Sequence, residues 1–495
     1  MTEYGFLSVL PPVLAIILAI RTKQVFVSLL FGIWLGWLII DDFNFLAGTL
    51  DTIQALVDVF KDDGNTRTIM FSALVGALII FIQRSGGVEG FILKVGAFLE
   101  KQEQKKAGNN KIVVQFLAWL TGLLIFVESN ISVLTVGALN RPIFDKLKIP
   151  REKLAYIADS SSAPSSILIP FNAWGAFIMG LLLTQGFENP FATLFNAALY
   201  NFYPVLALTM VLFVIFSGKD FGPMAKAEKR ARETGKLLAD DAQPMVSEEL
   251  TEVSAKDGIN PKAFNMVLPI ALMVLMMPVM LAFTGWEQAL EQRPDDSFTG
   301  KVLFAIGQGS GSTSVLVSLI VSLLFSMILY KAQGILNLKE MVDLTLKGIS
   351  GMMPLALLML MAFAIGAVCK QLETGIYVAE VAKNWLSPSL VPFIVFVVSC
   401  FIAFSTGTSW GTFAIMIAIA VPMAQSMGAN VHLAIAAALG GGVFGDHCSP
   451  ISDTTILSSM AAASDHIDHV KTQIPYAMIC GAITALLYLI IGFTG

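Results

Sequence analysis

Residues 159–166 read DSSSAPSS and residues 445–455 read GDHCSPISDTT, two runs of acids and hydroxyls set into opposite halves of an otherwise oily chain. AYIA precedes the first and ILIPFNAWGAFIMGLLL follows it; LAIAAALGGGVF precedes the second and ILSSMAAA follows. Backbone that leaves the helix at membrane depth survives only where it is buried in protein or lines a water-filled cavity. Paired interruptions in corresponding positions of two halves point to the binding site of a secondary transporter. Pro164 and Pro450 are read as enforcing the two breaks, because a proline removes a helix hydrogen bond at a cost of about 3 kcal/mol in a helix interior.

The composition fits that reading. Of 495 residues 56% are hydrophobic and only 14% charged, and the mean hydropathy of +0.74 belongs to a polytopic membrane protein rather than a soluble domain. The net charge of −5 carries little information, since the distribution of charge among loops sets topology. No basic patch suggests nucleic acid. The opening MTEYGF lacks the basic region of a cleavable signal peptide, so the run from Phe6 to Ile20 is expected to stay as a span. Cys369, Cys400, Cys448 and Cys480 have no paired spacing and predict neither a disulfide framework nor a zinc motif. They read as apolar filler, with Cys448 set apart by lying inside the second break.

Apolar runs near the roughly 20-residue spanning length fall at 6–20, 25–40, 68–82, 192–217, 264–284, 312–330, 351–369 and 474–493. Four more are interrupted: 112–140 at Glu128-Ser129-Asn130, 153–184 at DSSSAPSS, 389–424 at Ser405 to Ser409, and 431–463 at GDHCSPISDTT. Basic loops at 21–23, 83–111 and 141–153 are cytoplasmic by the positive-inside rule, and the acidic loop 41–67 is external. Both ends of 112–140 then lie on one side, which makes it a re-entrant hairpin, and 153–184 crosses outward. In the second half the acids from Glu287 to Asp296 read as external and Lys331, Lys339 and Lys347 as internal, so 389–424 is a hairpin entering from outside. Each half holds five crossings and one hairpin, and an odd number of crossings inverts the second copy. Glu128 and Thr408 also stand at equal distances before Pro142 and Pro422. The predicted organisation is an all-α protein of two inverted repeats, 1–217 and 263–495, joined by a mixed-charge, partly helical and solvated cytoplasmic linker at 218–262.

The chemistry of the breaks is oxygen chemistry. Freed carbonyls, half-helix ends, hydroxyls and carboxylates suit a dehydrated alkali cation. The candidate cation and proton ligands are Glu128, Asn130, Asp159, Ser160, Ser161, Thr406, Thr408, Asp446, Ser452, Asp453 and Thr454, with Asp159, Asp446 and Asp453 as the Na+-binding acids and His447 as a candidate proton carrier. Acids at the irregular sites without any Lys or Arg favour a cationic load, and an intramembrane acid is a functional candidate by default. A carboxylate shielded from water takes a proton readily, so proton and cation can compete for it. Plainer roles exist for each: Asp453 or Asp159 as a helix N-cap, Glu128 in an ion pair across the bundle, His447 as a hydrogen-bonded neighbour of Asp446, and serines bonded back to helix carbonyls. Gly440, Gly441, Gly442 and Gly445 serve close packing or a hinge. His466 and His469, in SDHIDH, have the spacing of a metal or pH-sensing pair but read as a solvated cytoplasmic loop.

GDHCSPISDTTILSS at 445–459 resembles the signature of the NhaC sodium/proton antiporter family, within the larger ion-transporter superfamily; the pattern at 11–23 and the ESN at 128–130 extend the likeness. The resemblance implies an antiporter in the cytoplasmic (inner) membrane that moves Na+ (or Li+) outward against H+, without a cofactor, and not an enzyme. It also implies an elevator-type layout, in a homodimer, of a mobile domain sliding along a scaffold. The superfamily's dicarboxylate carriers have a Ser-Asn-Thr hairpin tip, which this chain lacks, yet malate/lactate-type relatives keep an organic acid, amine or amino acid open as an alternative cargo.

Overall fold

The computed structural model describes residues 4–22, 24–91, 93–94, 110–126, 129–244, 255–256, 258–382 and 386–494. Among them all regular structure is helical, apart from one isolated bridge between Pro244 and Asp465. The first half runs α1 (Leu10–Thr22), α2 (Val25–Ile40), α3 (Phe45–Asp58), α4 (Asp63–Arg84), α5 (Asn110–Leu124), α6 (Ser129–Lys146), α7 (Arg151–Leu168), α8 (Ala173–Thr184), α9 (Pro190–Ala198) and α10 (Phe202–Ser217). After α11 (Gly222–Thr234) come α12 (Phe264–Thr284), α13 (Trp286–Gln292), α14 (Phe298–Gln308), α15 (Gly311–Ala332), α16 (Leu338–Gln371) and α17 (Thr374–Ala382). The chain closes with α18 (Val391–Thr406), α19 (Ser409–Met427), α20 (Val431–Cys448), α21 (Asp453–Ala462) and α22 (His466–Thr494).

Eight helices among the described residues are long and apolar enough to cross a bilayer, or nine if α7 and α8, bent by 43°, are one span. Ten crossings are expected from the sequence. Part of the difference is length: the 16 residues of α2 rise only about 24 Å at 1.5 Å each, short of a hydrocarbon core about 30 Å thick. The run 192–217 is also not one helix, because it is interrupted between α9 and α10. The acidic loop 41–67 carries α3, capped by Asn44.

Close packing at glycine organises the bundle. A Cβ on Gly76 of α4 would run into the carbonyl of Gly348 on α16, and one on Gly348 would meet the Gly76 backbone, so these two helices touch main chain to main chain. On α20, Cβ atoms at Gly441 and Gly445 would strike the α18 carbonyls of Phe396 and Cys400, and one at Gly442 would strike Phe413 of α19. The glycine run before the second break therefore seats α20 against the α18–α19 pair, within a continuous helix.

The linker is less solvated than its composition suggests. Met224 of α11 is buried in a core with Ala155, Ala158, Val214 and Tyr476. Lys153, buried at the start of α7, donates to Asp220 and Glu228 at 2.8 Å each. Arg230 reaches the buried Glu152 at 2.7 Å. A buried ammonium needs such partners, which ties residues 220–237 to the base of α7; residues 245–254 and 257 lie outside the described set.

Candidate functional site

The second interruption lies at Ser449–Ser452, between α20 and α21. Asp446 sits in the last turn of α20, a helix end whose dipole favours positive charge. Ser452, rather than Asp453, caps α21: its hydroxyl accepts from the Thr455 amide at 3.4 Å. Asp453 opens the helix and accepts from the Thr454 amide at 2.9 Å, with its side chain exposed. Asp446 is 1% exposed. Its Oδ2 lies 3.4 Å from the Thr454 hydroxyl, and its Oδ1 has no partner among the described residues. Ser452 and Thr454 share a hydroxyl contact of 3.0 Å.

These groups open onto a cavity of about 410 Å³. Asp446, Asp453 and Thr454 form one wall; Ser129 from the α5–α6 side and Thr406, Thr408 and Ser409 from the α18–α19 turn add hydroxyls; Trp174, Trp410, Met352 and Leu355 supply apolar surface. Gln24, at the α1–α2 turn, also lines it. No Lys, Arg or His lines it among the described residues. Thr406 spends its proton on the Ile402 carbonyl at 2.8 Å, which leaves its oxygen lone pairs to the cavity.

The first break does not fall where the sequence places it. DSSSAPSS lies inside α7, Pro164 included, and the chain leaves the helix only at Ile169–Asn172. The hydroxyls need no break to be satisfied: Ser161 bonds the Ile157 carbonyl at 2.6 Å and Ser162 the Ala158 carbonyl at 2.7 Å, each one turn back in the same helix. Membrane helices tolerate a proline where neighbours re-satisfy the backbone. Pro170 is the effective breaker, since the residue before a proline is driven to extended backbone, and Ile169 has φ −104° and ψ 105°. Asn172 then caps α8 through the Gly175 amide at 3.0 Å.

Asp159 is therefore a mid-helix residue, neither a cap nor part of a broken segment. It is fully buried and absent from the cavity wall. Its Oδ2 accepts from Gln473 Nε2 at 2.6 Å, lies 3.4 Å from the Thr455 hydroxyl and 3.6 Å from His469 Nε2. Thr455 also stands 3.5 Å from the Asp446 carbonyl, and its single proton serves one of the two at a time. His447 meets Tyr203 through Nδ1 at 3.1 Å, while its own carbonyl accepts from Gln473 at 2.8 Å. Ser160 is buried and does not line the cavity. Glu128 and the side chain of Asn130 lie outside the described residues. Among the described residues no three His, Cys, Asp or Glu side chains are grouped to cage a metal ion.

Sequence reasoning missed Tyr203, Gln473 and His469. His469 is not in a solvated loop but fully buried near the start of α22. The available signal was helical spacing: His469, Gln473 and Tyr476 recur at one face of an apolar span. His466 is partly exposed and contacts the Pro450 carbonyl at 2.6 Å.

A family model described as the Na+/H+ antiporter family matches residues 176–493. A Haemophilus influenzae relative, itself uncharacterized, is 32% identical over 98% of this chain and 91% of its own length. The malate-2H(+)/Na(+)-lactate antiporter of Bacillus subtilis is 30% identical over 22% of this chain and 24% of its own. The crystal structure of the Alcanivorax borkumensis YdaH transporter matches over 90% of this chain and 89% of its own, with a TM-score of 0.54 at 12% identity, a likeness of fold alone.

Proposed function

The chain belongs to the Na+/H+ antiporter family, as its 445–459 signature suggests, and from that premise we propose that it exchanges Na+ or Li+ for H+ by alternating access, with Asp446 and Asp453 as the exchanging carboxylates. The observation that carries this reading is the Asp446 carboxylate: buried, with an unpaired oxygen, on the wall of a hydroxyl-lined cavity free of cationic side chains among the described residues. An unpaired buried carboxylate oxygen costs free energy that either a cation or a proton relieves. Competition between the two for one group is the minimum requirement of an antiporter.

Thr406, Thr408, Ser452 and Thr454 supply further oxygens in this scheme. Asp159 stands behind the site and communicates with it through Thr455. The inverted-repeat reading draws support from one matched contact. The Phe126 carbonyl, ahead of the α5–α6 turn, accepts from Ser166 and Asn172 of the first break; the Phe404 carbonyl, ahead of the α18–α19 turn, accepts from Ser449 of the second. The elevator movement, the homodimer and the bacterial inner membrane belong to the same proposal. A carboxylate cargo, as in the Bacillus relative's name, finds no cationic side chain to receive it among the described lining residues.

The test is Na+-dependent proton flux in proteoliposomes bearing a pH-sensitive dye. Na+ added to wild-type vesicles is expected to discharge an imposed proton gradient, and Asp446→Asn and Asp453→Asn to be inert. A wild type that ignores Na+ and Li+ removes the reading.

A further inference from the structure

We propose that the cavity over Asp446 and Asp453 also binds a small organic ammonium ion, which enters exchange at the same carboxylates as Na+; this rests on their assignment as the cation site. Size is the first argument. An alkali ion is satisfied by a close shell of oxygens, whereas about 410 Å³ of space falls in the roughly 300–1,000 Å³ range of small-molecule pockets.

The second argument is the division of the wall into two chemistries. The cavity's lining joins the acids and hydroxyl of Asp446, Asp453 and Thr454 to the apolar Trp410, Leu355 and the almost fully buried Trp174. The Trp174 and Trp410 rings stand 5.0 Å apart, and Phe177 and Phe413 pack behind them with centroids at 5.0 and 5.9 Å, so the indoles are fixed rather than mobile. Sodium gains nothing from a pre-set aromatic wall that oxygen does not already provide. A substituted ammonium needs both parts: carboxylate for its charge, and indole faces, whose quadrupole attracts cations, for its alkyl groups. The third is Asp446 itself, a lining residue whose buried Oδ1 has no partner among the described residues. With no cationic side chain on the described wall to receive a carboxylate, the fitting cargo is a net cation and not an amino acid zwitterion.

Choline and tetramethylammonium are the probes, because neither can lose a proton and cross the bilayer as a free base. In the vesicles described above, each is expected to discharge the proton gradient or to compete with Na+ for its discharge, and Asp446→Asn to abolish both responses. Trp410→Leu is expected to raise the half-effective choline concentration about tenfold relative to that of Na+, the scale of one lost cation–π contact, with Trp410→Phe recovering most of it. If Na+ discharges the gradient while both probes neither discharge it nor compete, the cavity is an aqueous path for alkali ions and this inference alone falls. If Na+ and both probes are all inert, the cation-site reading falls with it.

Discussion

The two helix breaks look alike in sequence and are used differently. At Ile169–Asn172 the hydroxyls and the amide are occupied: Ser161, Ser162, Ser165 and Ser166 bond carbonyls of α7 or of the α5–α6 turn, and Asn172 both caps α8 and donates to the Phe126 and Ser166 carbonyls at 2.9 and 2.8 Å; Asp159 Oδ1, also unpaired among the described residues, is buried in α7 away from the cavity lining. At Ser449–Ser452 the chain keeps a carboxylate oxygen of Asp446 unpaired and turns Asp453 toward a cavity. Richness in hydroxyls marks a strut as readily as a site. An unspent acceptor on a cavity wall marks the site.

That contrast can be broken by substitution. The largest effect belongs to the second break, where Asp446→Asn is predicted to abolish exchange while leaving expression and thermal stability near wild type, checked by flux alongside melting in detergent. Next, Lys153→Met strips the countercharge from Asp220 and Glu228 at the foot of the first helix. Breaking such a buried group is expected to cost about 3–5 kcal/mol, read as a lower melting temperature and faster proteolysis within 218–244. Asn172→Ala is expected to cost about 1–2 kcal/mol from the lost cap, measured as a melting shift with Na+ affinity retained; a lost affinity with unchanged melting would make the first break a second binding site. Smallest is Ser162→Ala, which removes the 2.8 Å contact with Ser132 and should cost about 1 kcal/mol, detectable as a small melting shift only.

The second break was legible because Gly, Pro and acids coincide there, and each acts as its chemistry predicts: Pro450 lies in the interruption and Ser452 starts the next helix. The first was misplaced by a few residues because serine hydroxyls, read as helix breakers, can equally be satisfied by the preceding turn, whereas Pro170 and Asn172 held the true boundary inside an apolar-looking stretch. Asp446, Asp453 and the hydroxyls of the α18–α19 turn do line one cavity. What the sequence hid was the depth of Asp159 and its partners, His469 and Gln473, more than 300 residues away in the chain. Contacts of that separation leave no local pattern. The linker's anchorage was hidden for a related reason: Lys153, Asp220 and Glu228 look like ordinary solvated charges until the start of α7 meets residues 220–228.

The most direct test of the contrast is equilibrium binding of radioactive Na+ to purified protein at alkaline pH, comparing wild type, Asp446→Asn and Asp159→Asn. The account predicts that Asp446→Asn loses saturable binding and Asp159→Asn retains it with reduced affinity. Saturable binding that survives in Asp446→Asn and vanishes in Asp159→Asn would place the cation at Asp159, within α7, and contradict the assignment.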